Sequence, residues 1–168
     1  MRLQFITTIA LSLFFLVGYA QDGDVAQKGQ DVSNLVFTVE NGKKIKMSDY
    51  KDKVVFINFF ANWCPPCKLE MPYLEKDVWQ KYKNHKNFAL FAFGRGDDLA
   101  KVQKFQKDFK TTFPTHPDAS KAIYNNFATK YIPRNYIIKN GKIVYASKGF
   151  SNAEFEEMVK LLDKFLKE

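Results

Sequence analysis

Two cysteines stand in the stretch Trp63-Cys64-Pro65-Pro66-Cys67, and the chain has no others. A thiol pair at this spacing can close a disulfide and reopen it, so its chemistry is dithiol–disulfide exchange. An apolar run, Val54–Phe60, precedes the pair and a helical pattern follows it. At a helix N-terminus Cys64 would face unpaired N–H groups and the positive end of the macrodipole. Both lower a thiol pKa and raise the thiolate fraction. Cys67, one turn further on, is expected to be more buried and to resolve a mixed disulfide by attacking the Cys64 sulfur. Pro65 and Pro66 carry no N–H, and their φ is preset for a first helical turn. Trp63 is expected to shield the pair on one side. As a structural staple the pair is weak, because a very short loop restricts the unfolded chain little.

The elements that must position this site are legible in the pattern. Leu35–Val39 reads as a strand, Asn41-Gly42 as a hairpin turn, and Lys43–Lys46 as the returning strand. Ser48–Lys51 suits a helical turn. Val54–Phe60, interrupted only by Asn58, reads as a fully buried central strand. A helix is expected over Pro66–Tyr82, with Leu74, Val78 and Tyr82 on one face and a kink at Pro72. Phe88–Phe93 is a second buried strand, and Leu99, Val102, Phe105 and Phe109 mark a second helix. Pro114 and Pro117 read as a loop, and Asp118–Phe127 as a short helix. Arg134–Ile138 and Ile143–Ser147 pair across Asn140-Gly141. Ser151 with Glu154 makes a capping box for a final amphipathic helix. Strands alternating with helices predict an α/β fold: a central mixed β-sheet flanked by helices, with an N-terminal β-hairpin extension.

The N-terminus has another character. Arg2, the apolar run Leu3–Val17 and Gly18-Tyr19-Ala20 describe a secretory signal peptide over 1–20, cleaved after Ala20. The alternative is an uncleaved membrane anchor, for which the run is short. Residues 21–33 are polar and aperiodic and read as a flexible linker, which leaves 34–168 as the domain. An exported, extracytoplasmic or periplasmic location follows. The chain is 46% hydrophobic with 17 Phe, too apolar for disorder. Its net charge of +8 is spread over scattered lysines, with no block of like charge and no nucleic-acid motif. Nucleic-acid binding is therefore not expected.

On these residues the chain resembles the thioredoxin superfamily, and within it the extracytoplasmic group typified by TlpA and ResA. The resemblance covers about residues 34–168. It is carried by the stretch from Val54 to Pro72 and by Tyr131-Ile132-Pro133-Arg134-Asn135-Tyr136-Ile137-Ile138 before Asn140-Gly141. It implies a thioredoxin-like fold and thiol–disulfide oxidoreductase activity without a cofactor. It also implies a cis Ile132–Pro133 bond facing Cys64, in a loop that pairs with an extended substrate segment and keeps metal from the thiols. Substrate contacts are then expected from Trp63, Pro65, Pro66, Ile132 and Pro133. Cytosolic thioredoxins carry a buried Asp where this chain has Asn58, which cannot titrate. In the ResA-like group a Glu three residues after the second Cys takes the acidic role, and Glu70 occupies that place. It shares a helix face with Cys67, and burial would raise its pKa. The implied partners are protein thiol or disulfide substrates, in cytochrome c maturation or another exported pathway, and a membrane electron donor. A monomer is expected.

Two competing readings fit less well. A peroxidase of the peroxiredoxin type needs Pro-x-x-x-Thr-x-x-Cys, and residues 57–64 hold no Pro or Thr before Cys64. A copper-binding or chaperone module on the same fold would use two Cys and a distant His, but with Cys-x-x-x-Cys spacing. The two histidines, His85 and His116, lack the paired spacing usual for structural zinc. No metal site is expected.

Overall fold

The computed structural model describes residues 23–39 and 42–168. The predicted signal peptide, its cleavage point and Asn41 lie outside the described residues. No helix among the described residues is long and apolar enough to cross a membrane.

Five strands form the central sheet: β3 (Val54–Phe60), β4 (Phe88–Arg95), β5 (Thr115–Asp118), β6 (Arg134–Lys139) and β7 (Lys142–Lys148). Their order is β5-β4-β3-β6-β7. β3 runs parallel to β4 and antiparallel to β6, so the sheet is mixed as the alternating pattern predicts. β1 (Val36–Thr38) and β2 (Lys44–Lys46) make a separate antiparallel pair. Every residue of β3 is buried, because helices cover one face of the sheet and the β1–β2 pair with its neighbours covers the other. Side chains alternate between faces along a strand. Val54, Phe56 and Phe60 join the core beneath the helices, while Val55, Ile57 and Phe59 join the opposite core. This parity puts Asn58 on the helical face.

The helices are α1 (Pro65–Tyr73), α2 (Gln80–Tyr82), α3 (Leu99–Phe109) and α4 (Asn152–Lys167). The single kinked helix expected over 66–82 is instead three pieces: α1, a π-helical stretch Leu74–Trp79, and α2. Pro72 has no N–H to donate within α1. Beyond it the register widens, and at the end of the π-helical stretch the Gln80 N–H bonds the Glu75 carbonyl five residues back. Ser151 caps α4 through Glu154 N–H as the capping box predicts.

Three further expectations are corrected. The stretch around Pro114 and Pro117 is not a loop throughout, because Thr115–Asp118 forms the edge strand β5, parallel to β4. Pro is tolerated at a sheet edge, where no second neighbour needs its N–H. Asp118–Phe127 holds only a 3₁₀ turn, Tyr124–Asn126. Asp118 accepts the N–H groups of Ile123 and Tyr124, which turns the chain too sharply for a longer helix. The linker expected over 21–33 is a packed strap from Gly23 on. Val25 and Ala26 N–H groups bond Phe127 O, Gly29 N–H bonds Ile143 O and Val32 N–H bonds Gly141 O. Ala26 and Val32 are buried. Two small apolar anchors and backbone pairing hold a segment whose polar composition hides them.

Candidate active site

β3 ends at Phe60 and delivers the chain to Cys64, the N-cap of α1. Cys64 and Cys67 are joined by a disulfide, their Cα atoms 5.3 Å apart. The Cys67 N–H donates to Cys64 Sγ at 3.3 Å. The Cys64 sulfur thus sits where an α-helix presents an unused donor, the arrangement that stabilises a thiolate once the bond is reduced. Cys64 is 2% exposed and Cys67 0%. Both are buried, and what little exposure the pair keeps belongs to Cys64.

The Ile132–Pro133 bond is cis. Cys64 Sγ lies 3.7 Å from the Ile132 carbonyl oxygen, so the loop and the sulfur share one surface. Pro133 is buried, Ile132 and Pro66 are half-buried, and Pro65 is exposed. Trp63, expected to shield the pair, is instead 60% exposed and makes no ring contact among the described residues. Tyr131 is also exposed at the rim.

Glu70 lies on the inner face of α1 with Cys67 and Met71 and has no solvent exposure. Asn58 Nδ2 donates to its Oε2 at 3.0 Å, and Asn135 Nδ2 donates to its Oε1 at 2.5 Å. Asn58 Nδ2 also reaches Asn135 Oδ1 at 2.8 Å, which closes a ring of three side chains. Burial pushes the Glu70 carboxyl up to about 7, against the opposing pull of the two amide donors. A cavity of ≈ 10 Å³ touches Glu70, lined also by Asn135, Tyr145, Ser147, Ser151 and Glu154. That is about the room one water needs.

The sequence reading missed two of these supports. Asn135 faces Asn58 across the β3–β6 pairing; its signal was a polar residue inside an apolar strand run. Asp97, 1% exposed, accepts the Asn62 N–H at 2.7 Å and so fixes the loop leading into Cys64. Burial raises its pKa. The histidines stand apart from this chemistry. His85 is half-buried in the turn before β4, where its Nδ1 accepts Asn87 N–H. His116, on β5, packs its ring against Phe91 and Phe93. Among the described residues no group of three or more His, Cys, Asp or Glu could hold a metal ion.

Comparison with known proteins gives a consistent picture. The family model described as Redoxin matches residues 22–162. The thiol–disulfide oxidoreductase ResA of Bacillus cereus is 32% identical over 151 residues, covering 89% of this chain and 83% of that protein. ResA of Bacillus subtilis is 32% identical over 152 residues, covering 85% and 83%. Among solved structures, a candidate protein disulfide isomerase from Bacteroides thetaiotaomicron matches with a TM-score of 0.80 and 34% identity, over 87% of this chain and 94% of that one. A candidate thiol:disulfide interchange protein DsbE from Chlorobium tepidum matches with a TM-score of 0.68 and 26% identity, over 84% and 99%.

Proposed function

From the premise that this chain belongs to the Redoxin family and is a thiol–disulfide oxidoreductase of the ResA-like kind, we propose that it is exported and reduces disulfides of extracytoplasmic proteins. Cytochrome c maturation is the pathway that the ResA and TlpA resemblance suggests. One observation carries the reading: the Cys64 sulfur stands at a helix N-terminus and 3.7 Å from the carbonyl of the cis-proline loop. A substrate strand lying along that loop brings its disulfide to this sulfur.

The exchange has two steps. The Cys64 thiolate attacks one sulfur of the substrate disulfide. A bond forms between Cys64 and substrate, the substrate S–S bond breaks, and the departing sulfur takes a proton. Glu70, one helical turn beyond Cys67, then accepts the Cys67 thiol proton. The Cys67 thiolate attacks Cys64 Sγ, the Cys64–Cys67 disulfide forms as the Cys64–substrate bond breaks, the departing sulfur takes a proton from solvent, and the substrate leaves as a dithiol carrying two electrons. A carboxyl poised at about 7 suits proton transfer at neutral pH, and the cavity beside it gives that proton a water-sized exit. Trp63, Pro65, Pro66, Ile132 and Pro133 form the contact surface for the substrate strand. A membrane dithiol donor returns the pair to the reduced state, and the protein acts as a monomer.

The test has two parts. Cys67→Ser should accumulate mixed disulfides through Cys64, and Cys64→Ser should accumulate none; clean turnover by Cys67→Ser would sink the assigned roles. The reduction potential of the pair decides the direction of electron flow. A value well below the roughly −180 mV of protein disulfide isomerase marks a reductant, and one near the roughly −120 mV of DsbA marks a disulfide donor.

A further inference from the structure

The cis-proline loop is held on both sides of Ile132. Before it, the Tyr131 carbonyl accepts Tyr124 Oη at 2.8 Å and Arg134 Nε at 3.2 Å. After it, the Pro133 carbonyl accepts Gly149 N–H at 2.8 Å. Arg134 Nε also donates to Lys130 O at 2.9 Å. One guanidinium therefore gathers the two carbonyls that lead into the cis bond. Tyr131 itself sits at φ 67°, a left-handed conformation uncommon for a residue with a side chain. The Ile132 N–H has no hydrogen-bond partner among the described residues, so the loop is pinned at its flanks and open at its centre.

Arg134 is 2% exposed, so its charge needs a counter-ion. Asp24 on the N-terminal strap supplies it by pairing Oδ1 with Arg134 Nη1. Asp24 is placed by the strap's backbone. It bridges Ala128, and Thr129 N–H bonds Gly23 O at 2.7 Å. Arg134 Nη2 has no partner among the described residues, so without Asp24 the guanidinium would be a buried cation lacking its anion.

We propose that Arg134, anchored by Asp24, is a positioning residue that holds the Tyr131–Pro133 backbone in the form that pairs with an extended polypeptide substrate. The strap thereby becomes part of the recognition apparatus. A small disulfide reagent, which does not lie along the loop, does not need it. The inference rests on the reading of Ile132–Pro133 as the substrate loop, and the experiment separates the two.

The mature protein and its Asp24→Asn, Asp24→Glu and Pro133→Ala variants are compared in two assays, reduction of insulin disulfides and reduction of a small aromatic disulfide. For Asp24→Asn the expected result is a KM for insulin raised about tenfold, the scale of one lost charge-assisted hydrogen bond. Its kcat, its rate with the small disulfide and the potential of the cysteine pair should stay unchanged. Asp24→Glu should recover most of the KM. If Asp24→Asn matches the parent while Pro133→Ala loses insulin reduction, the inference is overturned and the substrate loop stands. If both variants match the parent, the loop reading falls and the inference with it. If Asp24→Asn slows both disulfides alike and melts at lower temperature, the pair serves only stability and the positioning role is wrong.

Discussion

Glu70 combines complete burial with two donated amide hydrogen bonds, and its chemistry follows from the balance between them. Burial disfavours the carboxylate, the amides of Asn58 and Asn135 favour it, and burial prevails to leave the group at about 7. Exchange in the parent protein should therefore rise with pH through about 7, as Glu70 becomes able to take the Cys67 proton. Glu70→Gln should lose that limb and slow resolution about 100-fold, the lower end of what a positioned acid–base group contributes. Stopped-flow rates across pH 5–9 read both; an unchanged profile would return Glu70 to a structural part. Glu70 was legible through the resemblance to the ResA-like group, which has an acid three residues after the second Cys, and helix spacing then sets it on the face of Cys67. Its partner Asn135 was not, because only strand register sets Asn135 opposite Asn58. Arg134 and Asp24 were hidden more deeply still, being 110 residues apart.

At the scale of elements, β4 and the start of α3 approach each other closely at Gly94. A Cβ on Gly94 would lie 2.6 Å from Val102 Cγ2 and 3.0 Å from Asp97 Cβ. Gly94→Ala should push α3 away from the sheet and destabilise the protein by about 1–3 kcal/mol, seen as a lower urea midpoint. No change in midpoint would mean that α3 absorbs the methyl group by a small shift. The strong periodicities explain what the sequence conveyed: the buried runs of β3 and β4, the amphipathic α3 and α4, and both strands of the β6–β7 hairpin. What stayed hidden lacked period. β5 is a four-residue edge strand containing Pro117, and proline reads as punctuation. The strap has only Ala26 and Val32 as buried apolar anchors in its polar stretch. The π-helical turn after Pro72 depends on which carbonyls the next N–H groups find, which no local residue preference records.

Across the whole molecule, stability should carry the mark of Glu70. Folded, it keeps its proton up to about pH 7; unfolded, it loses it near its ordinary 4.5. The folded state thus binds the extra proton between those values. Its contribution is complete below pH 4.5 and falls away as pH rises to 7, by about 3 kcal/mol. Asp163, whose carboxyl is held down at about 2 by Lys167 and Tyr82, has the opposite sign in a separate window. Its contribution is present above its unfolded value of 3.8 and is lost as pH falls towards 2. On these two groups the oxidised protein should therefore be most stable near pH 4, between the two windows, with a higher urea midpoint at pH 5 than at pH 8, and Glu70→Gln should flatten that difference. A parent midpoint that does not change from pH 5 to pH 8 would rule out the buried, proton-holding state. The route of the strap has a practical bearing of another kind. Gly23 packs so closely on Lys130 that a Cβ there would stand 2.7 Å from the Lys130 Cβ. Gly23 thus lies beside the cis-proline loop, whereas Lys139, paired with Glu168, lies at the other end of β6. A tether placed upstream would turn the redox face towards the surface that holds it, and a tether at Glu168 would turn that face outward, towards partners arriving from solution.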